Sequence, residues 1–172
     1  MIFEKVAKRA EELGINYLVV ASNTGKTALE LYKEASNKKI ICVTHHVGFT
    51  GPGIDEMGKP MREKLQQLGI EVYTATHLMA GIDRSVRKQF GGLYPGEIVA
   101  NTLRLFGQGV KVGVEIAVMA LDAGLIPYGE DVIAIGGRSN GADSAIIIRP
   151  SHSNEFFATR IEEIIAKSPR ER

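Results

Sequence analysis

The stretch that decides the fold is NYLVVASNTGKTALELYKEASNKKIICVT, residues 16–44. It contains two short runs rich in β-branched residues, NYLVVA and KIICVT, which predict buried strands. Between them Ala28, Leu31, Tyr32 and Ala35 recur at three- and four-residue steps, which predicts a helix with one apolar face. A strand, a helix and a second strand in this order predict two parallel strands joined by a helical crossover.

The same alternation continues on both sides of this unit. Two further strands follow at a distance, EDVIAIGG and then SAIIIRP, and the connection between them is the short glycine-rich turn GRSNGA. Six residues are too few for a crossover, so the fifth strand is predicted to run antiparallel to the fourth. The other predicted elements are a third strand in residues 70–76 and helices in residues 3–14, 60–69, 81–92, 95–109, 110–124 and, to close the chain, 154–167.

These elements predict an α/β protein of three layers, with helices on both faces of a five-stranded, mostly parallel sheet. The 172 residues have the length of one domain, and we expect a single domain over 1–172. The formal net charge of +1 gives no footprint for nucleic acid or an anionic membrane. No apolar run reaches about 18 residues, and Cys42 is the only cysteine. We therefore expect a cytoplasmic protein in which Cys42 is a small buried hydrophobe.

The loop after the first strand, SNTGKT at residues 22–27, contains the Gly-Lys-Thr that ends the phosphate motif of many NTPases. That motif needs a glycine five residues before Gly25, where this chain has Val20, so a nucleoside triphosphatase is disfavoured. A shorter phosphate site remains possible. Hydroxyls, a glycine and a helix N-terminus meet in this loop, whose candidate ligand-binding residues are Ser22, Asn23, Thr24, Gly25, Lys26 and Thr27. The alternative is that Ser22 or Thr24 only caps the helix.

A second glycine loop, in AIGGRSNGADSAIIIRP, adds Gly136, Gly137, Arg138 and Gly141. Arginine is a good bidentate partner for phosphate, although alone the segment indicates an ordinary glycine-rich hairpin. Together the two loops resemble the C-terminal domain of pyruvate kinase, in its strand–Thr/Ser-x-x-Gly-x-Ser/Thr-Ala–helix segment and its closing hairpin. The whole chain resembles the stand-alone archaeal and bacterial proteins described as pyruvate kinase alpha/beta-domain-like.

The resemblance implies a strand order of 3-2-1-4-5 and a sugar-phosphate effector site at the first loop, which the second loop covers. It assigns phosphate contacts to Ser22, Thr24, Gly25 and Thr27, and the covering loop to Gly137, Arg138 and Gly141. The two loops then leave neighbouring strands at the switch point, where open α/β sheets bind ligands. The 172 residues have no counterpart of the catalytic barrel, so we expect no pyruvate kinase activity from them.

The loops after the second and third strands carry further candidate ligand contacts. A long loop rich in glycine and proline follows the second strand, and Phe49 and Met79 have the shapes to enclose a planar ring. Adjacent histidines rarely bind one metal, so we expect none, although His45, His46 and His77 leave a three-histidine site open. Glu115, on an apolar helix, needs a partner or a raised pKa. The additional candidate cofactor-binding residues are Thr44, His46, Phe49, His77 and Glu115.

We therefore expect a protein that binds a phosphorylated small molecule. Among the stand-alone relatives, the resemblance implies a mononucleotide such as FMN. One alternative is a flavin-dependent or phosphometabolite-acting enzyme in which His46, His77 or Glu115 handles protons. Another is a regulatory or association subunit, and a homo-oligomer is possible. No catalytic set of nucleophile, base and orienting residue is legible in the sequence.

Overall fold

The computed structural model describes residues 2–138 and 141–167, and this part of the chain contains six α-helices and six strands. Two short 3-10 helices, Arg104–Phe106 and Ser153–Ala158, complete the described elements. The helices are α1 (Ile2–Glu12), α2 (Lys26–Glu34), α3 (Lys59–Gln67), α4 (Gly81–Phe90), α5 (Pro95–Leu103) and α6 (Gln108–Asp122), and the strands are β1 (Tyr17–Ala21), β2 (Lys39–Thr44), β3 (Glu71–Thr74), β4 (Val132–Gly136), β5 (Ser144–Arg149) and β6 (Arg160–Ala166).

The strands form one sheet in the order β3-β2-β1-β4-β5-β6. β1 pairs in parallel with β2 and β4, and β2 pairs in parallel with β3. β5 is antiparallel to β4, as the short connection predicts. The predicted α/β class and the order 3-2-1-4-5 are confirmed, with a sixth strand added beside β5.

The predicted closing helix over residues 154–167 is wrong. Residues 153–158 form the 3-10 helix, and residues 160–166 form β6, which runs antiparallel to β5. The apolar residues Ile161, Ile164 and Ile165 have helical spacing, which misled the prediction. The exposed edge of β5 offers a full row of backbone partners, and pairing with it satisfies the amides and carbonyls of both strands.

Irregular pairing explains how a strand acquires helical spacing. Ile148 pairs with Ile161 and Ile146 pairs with Ile164, and register shifts interrupt the β5–β6 ladder twice. Two residues on β5 therefore match three on β6, as at a β-bulge. The extra residue keeps Ile161 and Ile164 on one face of the sheet although they are three positions apart.

The core has two layers, one on each face of the sheet. Leu18 and Val20 of β1 face the layer formed with α1, α2 and α3, whereas Val19 faces the layer formed with α5 and α6. α6 lies close to the strands because Gly109 and Gly136 meet where larger residues would not fit. A Cβ atom on Gly136 would lie well inside van der Waals contact of the Gly109 carbonyl oxygen.

Candidate functional site

The two glycine loops leave the sheet at one place. Val20 of β1 pairs with Ile135 of β4, so Gly136 lies beside Ala21 at the carboxyl ends of these strands. α2 begins after the first loop on one face of the sheet, and α6 begins beside Gly136 on the other. Neither helix has a side-chain cap at its N-terminus. Two helix ends with unsatisfied amides and positive dipole ends thus flank the carboxyl ends of β1 and β4.

The turn into α2 depends on Gly25. This glycine has a φ of 84°, and a Cβ atom there would lie 2.5 Å from Cγ of Met61 on α3. The first α2 residue whose amide donates to a backbone carbonyl is Leu29, which binds that of Gly25. The hydroxyls of the loop do not cap the helix, contrary to the alternative that the sequence left open.

Ser22 is the most unusual residue of the first loop. It is only 4% exposed, and its Oγ has no hydrogen-bond partner. Its backbone is held, because the Ser22 amide donates to the carbonyl of Val43 and the Cys42 thiol donates to the Ser22 carbonyl at 3.5 Å. A buried hydroxyl without a partner costs roughly 1–3 kcal/mol, and a bound oxygen acceptor would remove that cost.

The other residues of this loop are more open. Asn23 and Thr27 are half-buried, and Thr24 and Lys26 are exposed. Hydroxyl, amide and ammonium donors are therefore available to a ligand at the end of β1.

A row of hydroxyls continues from Ser22 across the neighbouring strands. Ser22 and Thr44 directly follow the paired residues Ala21 and Val43, and Thr44 pairs with Thr74. The Thr44 and Thr74 hydroxyls are hydrogen-bonded at 2.7 Å.

Arg62 of α3 stands at the far end of this row. Its Nη2 donates to Thr74 Oγ1 at 3.2 Å and to Asp55 Oδ2 at 2.9 Å. The charge of Arg62 also favours the thiolate form of Cys42 and so partly opposes the rise in the pKa of Cys42 that burial causes. Because the Cys42 thiol donates to the Ser22 carbonyl, this cationic charge acts next to the first loop. The sequence analysis missed it, because helical spacing marks Arg62 only as a residue of a surface helix.

In the second glycine loop, Gly137 and Gly141 lie close together. A Cβ atom on Gly137 would collide with the carbonyl oxygen of Gly141, and Gly141 has a φ of 82°. Arg138, which follows Gly137, is exposed. Beside this loop the Ser144 hydroxyl donates to Asp143 Oδ1 at 2.6 Å, close to the N-terminus of α6.

Four rings gather beyond the ends of β2 and β3, and we call His45, His46, Phe49 and His77 the ring cluster. His45 stacks on Phe49 with their centroids 3.8 Å apart, and His77 lies 5.1 Å from His45 and 5.9 Å from His46. Arg84 of α4 lies over the Phe49 ring at 5.4 Å. The Phe49 ring therefore has four neighbours, Arg84 and the three histidines of the ring cluster.

His45 and its neighbours have defined polar partners. Nδ1 of His45 is 2.7 Å from Oε2 of Glu56, and Nδ1 of His46 is 2.8 Å from the carbonyl oxygen of Val47. Glu56 and Arg84 were not among the predicted site residues. Only the tertiary structure brings them to the ring cluster from the long loop and from α4.

Glu115 has an ionic partner, which is one of the two alternatives that its place on an apolar helix predicted. It is buried one turn from Lys111, and the two side chains form an ion pair. Glu115 Oε1 also accepts a hydrogen bond of 3.0 Å from the amide of Met79, which is itself buried. Glu115 therefore fixes the turn that carries His77. The sequence analysis missed Lys111, although its spacing of four residues from Glu115 was a usable signal.

Burial lowers the pKa of His77 to about 4, and the nearby Lys111, His45 and His46 act in the same direction. Glu115 opposes them. His77 is thus neutral at physiological pH and can act as a hydrogen-bond donor and acceptor in the ring cluster. Cys42 is inert by comparison, because burial raises the pKa of its thiol to about 12.

Within residues 2–138 and 141–167, no group of three or more His, Cys, Asp or Glu is arranged to hold a metal ion. In the same part of the chain, no helix has the length and apolar character to cross a membrane. Among the described residues, the candidate site offers hydroxyls, backbone amides, cationic side chains and aromatic rings.

The amino-acid sequence of this chain matches a known protein family. The family model described as the alpha/beta domain of pyruvate kinase matches residues 1–148. Among solved structures, a pyruvate kinase from Cryptosporidium parvum is 18% identical over 87% of this chain and 23% of its own, with a TM-score of 0.43. The same organism's pyruvate kinase in complex with ADP is 19% identical over 86% and 23%, with a TM-score of 0.40. This chain thus spans less than a quarter of the pyruvate kinases it matches.

Proposed function

Since this chain belongs to the pyruvate kinase alpha/beta domain family, we propose that it binds a phosphorylated small molecule in the crevice where β1 and β4 end. The observation that carries the proposal is Ser22, whose buried hydroxyl lacks a partner beside the uncapped N-terminus of α2. A phosphate oxygen there accepts from this hydroxyl and from the free amides at the start of the helix. Thr24 and Thr27 add hydroxyl donors from the same loop.

Charge comes from the surrounding elements. Arg62 stands at the end of the hydroxyl row, and Lys26 and Arg138 lie on the two loops. We assign the principal cationic role to Arg62, because Thr74 and Asp55 already hold it in one orientation. A guanidinium held in place loses less conformational freedom on binding than an exposed lysine.

A mononucleotide such as FMN fits the spacing of the site. Neighbouring strands lie about 4.8 Å apart, so the ends of β1 and β3 are roughly 10 Å apart. A phosphate at the Ser22 loop and a planar ring at the ring cluster would therefore also be roughly 10 Å apart. His46 and His77 supply hydrogen bonds and apolar ring surface there. FMN would bring redox chemistry to the site, and the chain's own residues hold it and orient its ring. We place the protein in the cytoplasm, where Cys42 stays reduced.

Titration calorimetry with FMN, riboflavin and inorganic phosphate tests the proposal. FMN should bind, and riboflavin, which lacks the phosphate, should bind at least tenfold more weakly, because a hydrogen bond to a charged group contributes about 1.5–3 kcal/mol. Ser22→Ala should lose about tenfold in FMN affinity. Ser151→Ala is the matched control, since Ser151 is a buried serine that follows β5. Because β5 runs antiparallel to β4, Ser151 lies at the other end of the strands from Ser22. Equal binding of FMN and riboflavin, or no binding of either, would contradict the proposal.

Two variants test the role of Arg62. Arg62→Met should weaken phosphate and FMN binding. Asp55→Asn keeps a side-chain oxygen that can hold Arg62 in place and removes the competing negative charge, so it should leave binding unchanged or tighten it. If FMN binds normally to Arg62→Met, Arg62 is not the cationic partner, and the Ser22 result decides the site by itself.

An enzyme is the second candidate function, favoured by a neutral histidine beside a buried ion pair. His77 lies near Glu115 and Lys111, and His45 is oriented by Glu56 in the manner of a general base. Glu115 has a positioning role, since Lys111 and the Met79 amide occupy its oxygens. Reduction of protein-bound FMN by a pyridine nucleotide, slowed in His77→Gln at unchanged FMN affinity, would support an enzyme over a carrier or sensor. An unchanged rate in His77→Gln would count against this candidate.

A further inference from the structure

α4 is a helix that the fold leaves largely uncovered. None of its ten residues, Gly81–Phe90, is buried. Its side chains reach the rest of the protein through polar contacts: Arg84 lies over Phe49, and Arg87 Nε binds Glu97 Oε1 at 2.7 Å. A helix of this length is marginal in water by itself, since isolated helices need roughly 12–15 residues. Packing of an apolar face would stabilise it.

An apolar face is present, and it is exposed. Ile82 is 78% exposed and Phe90 is 79% exposed, with half-buried Val86 between them at the spacing of one helical face. Leu93 is 66% exposed just beyond the helix. Ile98 is 51% exposed on α5, next to the Glu97 that binds Arg87. We call Ile82, Val86, Phe90, Leu93 and Ile98 the α4 surface.

The charges beside this surface are self-complementary. Asp83 lies in the first turn of α4 and Arg87 in the last. With 100° per residue, both fall on the same side of the stripe formed by Ile82, Val86 and Phe90. When two such helices pack antiparallel across a two-fold axis, Ile82 of each lies opposite Phe90 of the other. Asp83 then lies opposite Arg87 of the second copy, so each pair carries opposite charges.

We propose that the α4 surface is where two copies of this chain associate, with their α4 helices antiparallel across a two-fold axis. The four exposed apolar side chains present roughly 500 Å² to water, counting about 150–250 Å² for a fully exposed large side chain. This area is in the upper part of the range of about 300–600 Å² that the largest apolar patch of a typical monomer reaches. Since a stable interface buries about 800 Å² per partner, polar side chains around the α4 surface have to supply the remaining area, and the charge pattern is the main argument for a second copy. This inference does not depend on a ligand.

Analytical ultracentrifugation over a concentration series tests the proposal with the full chain. The natural sequence should sediment as a dimer. Ile82→Glu and Phe90→Glu should each shift it to the monomer, with an unchanged far-UV circular dichroism spectrum, because both side chains are exposed in the folded chain. Leu105→Glu and Phe157→Glu are matched controls: these residues are 82% and 88% exposed outside the α4 surface, and the variants should remain dimeric.

Charge reversal tests the antiparallel arrangement. Asp83→Arg places two arginines opposite each other and should raise the dimer dissociation constant at least several-fold. Arg87 also binds Glu97 of its own chain, so all these variants are made and compared in a Glu97→Gln background. There Arg87→Asp should weaken the dimer by opposing two aspartates. The double variant Asp83→Arg/Arg87→Asp restores opposite charges and should recover much of the affinity. A monomeric natural chain, a dimer that survives Phe90→Glu, or a double variant no tighter than either single one would each overturn the proposal.

Discussion

α4 and α6 flank α5 in the chain, but the fold uses them in opposite ways. Twelve of the fifteen residues of α6 are buried, including the ion pair Lys111–Glu115, whereas none of the ten residues of α4 is buried. α6 is apolar almost all round, so it enters the core. α4 has one narrow apolar stripe between charged residues. α6 therefore forms part of the hydrophobic core, whereas the sequence of α4 is suited to a contact at the surface.

The largest expected effect comes from breaking the buried ion pair of α6. Lys111→Met leaves the Glu115 carboxylate buried without its counter-ion and should cost about 3–5 kcal/mol in the free energy of unfolding. The corresponding change on α4, Arg87→Met, removes a half-exposed partner of Glu97 and should cost at most about 1 kcal/mol. Urea denaturation of both variants measures the contrast. Equal losses would show that the two helices contribute alike.

The double variant Lys111→Met/Glu115→Gln sharpens this prediction. With no carboxylate left to neutralise, it should regain part of the stability that Lys111→Met loses. If the double variant is less stable than Lys111→Met, the hydrogen bond from the Met79 amide to Glu115 outweighs the ion pair.

The same substitution at a glycine of each helix gives the next largest contrast. Gly109→Ala in α6 introduces a methyl group that would overlap Asp143 and Ser144, and should cost about 1–3 kcal/mol through overpacking. Gly81→Ala in α4 finds its nearest neighbour, Thr76 Cγ2, at 3.7 Å. It should leave stability unchanged or raise it by up to about 1 kcal/mol, since alanine favours the helix. Thermal unfolding followed by circular dichroism distinguishes these outcomes.

The free energy of unfolding should depend on pH through His77, which lies in the loop before α4 and near the ion pair of α6. Burial lowers its pKa from 6.5 to about 4, so the folded state resists its protonation. This contribution is complete above pH 6.5 and is lost as the pH falls from there towards 4. Denaturation between pH 7 and 4 should show a smaller loss for His77→Gln than for the natural chain. A histidine that titrates near 6.5 in the NMR spectrum and belongs to residue 77 would contradict the burial argument.

The smallest expected effect is on the exposed face of α4. Ile82→Ser should change the free energy of unfolding of the monomer by less than about 0.5 kcal/mol, because substitutions at exposed positions are near neutral. The measurement is made at concentrations below those of association. Ala117→Ser, which buries a hydroxyl among apolar side chains in the middle of α6, is the contrast and should cost about 1 kcal/mol or more.

Much of the fold was legible in the sequence because the central strands are short, apolar and buried on both faces. The run from residues 16 to 44 predicts β1, α2 and β2, and the seven residues between β4 and β5 are too few for a parallel connection. The same reasoning failed at β6, where bulges give a strand the apolar spacing of a helix. Local spacing carries no information about an open strand edge elsewhere in the chain.

For the candidate site, the sequence by itself determined which residues stand at the strand ends: Ser22 after β1, Thr44 at the end of β2 and Gly136 at the end of β4. It did so because loop residues follow strands in the chain. Only the tertiary structure decided that Arg62 reaches Thr74 and that Glu56 and Arg84 reach the ring cluster. It also decided that the Ser22 hydroxyl is left without a partner. These contacts depend on how separate helices, strands and loops pack together. A local sequence pattern does not predict distances between residues that are far apart in the chain.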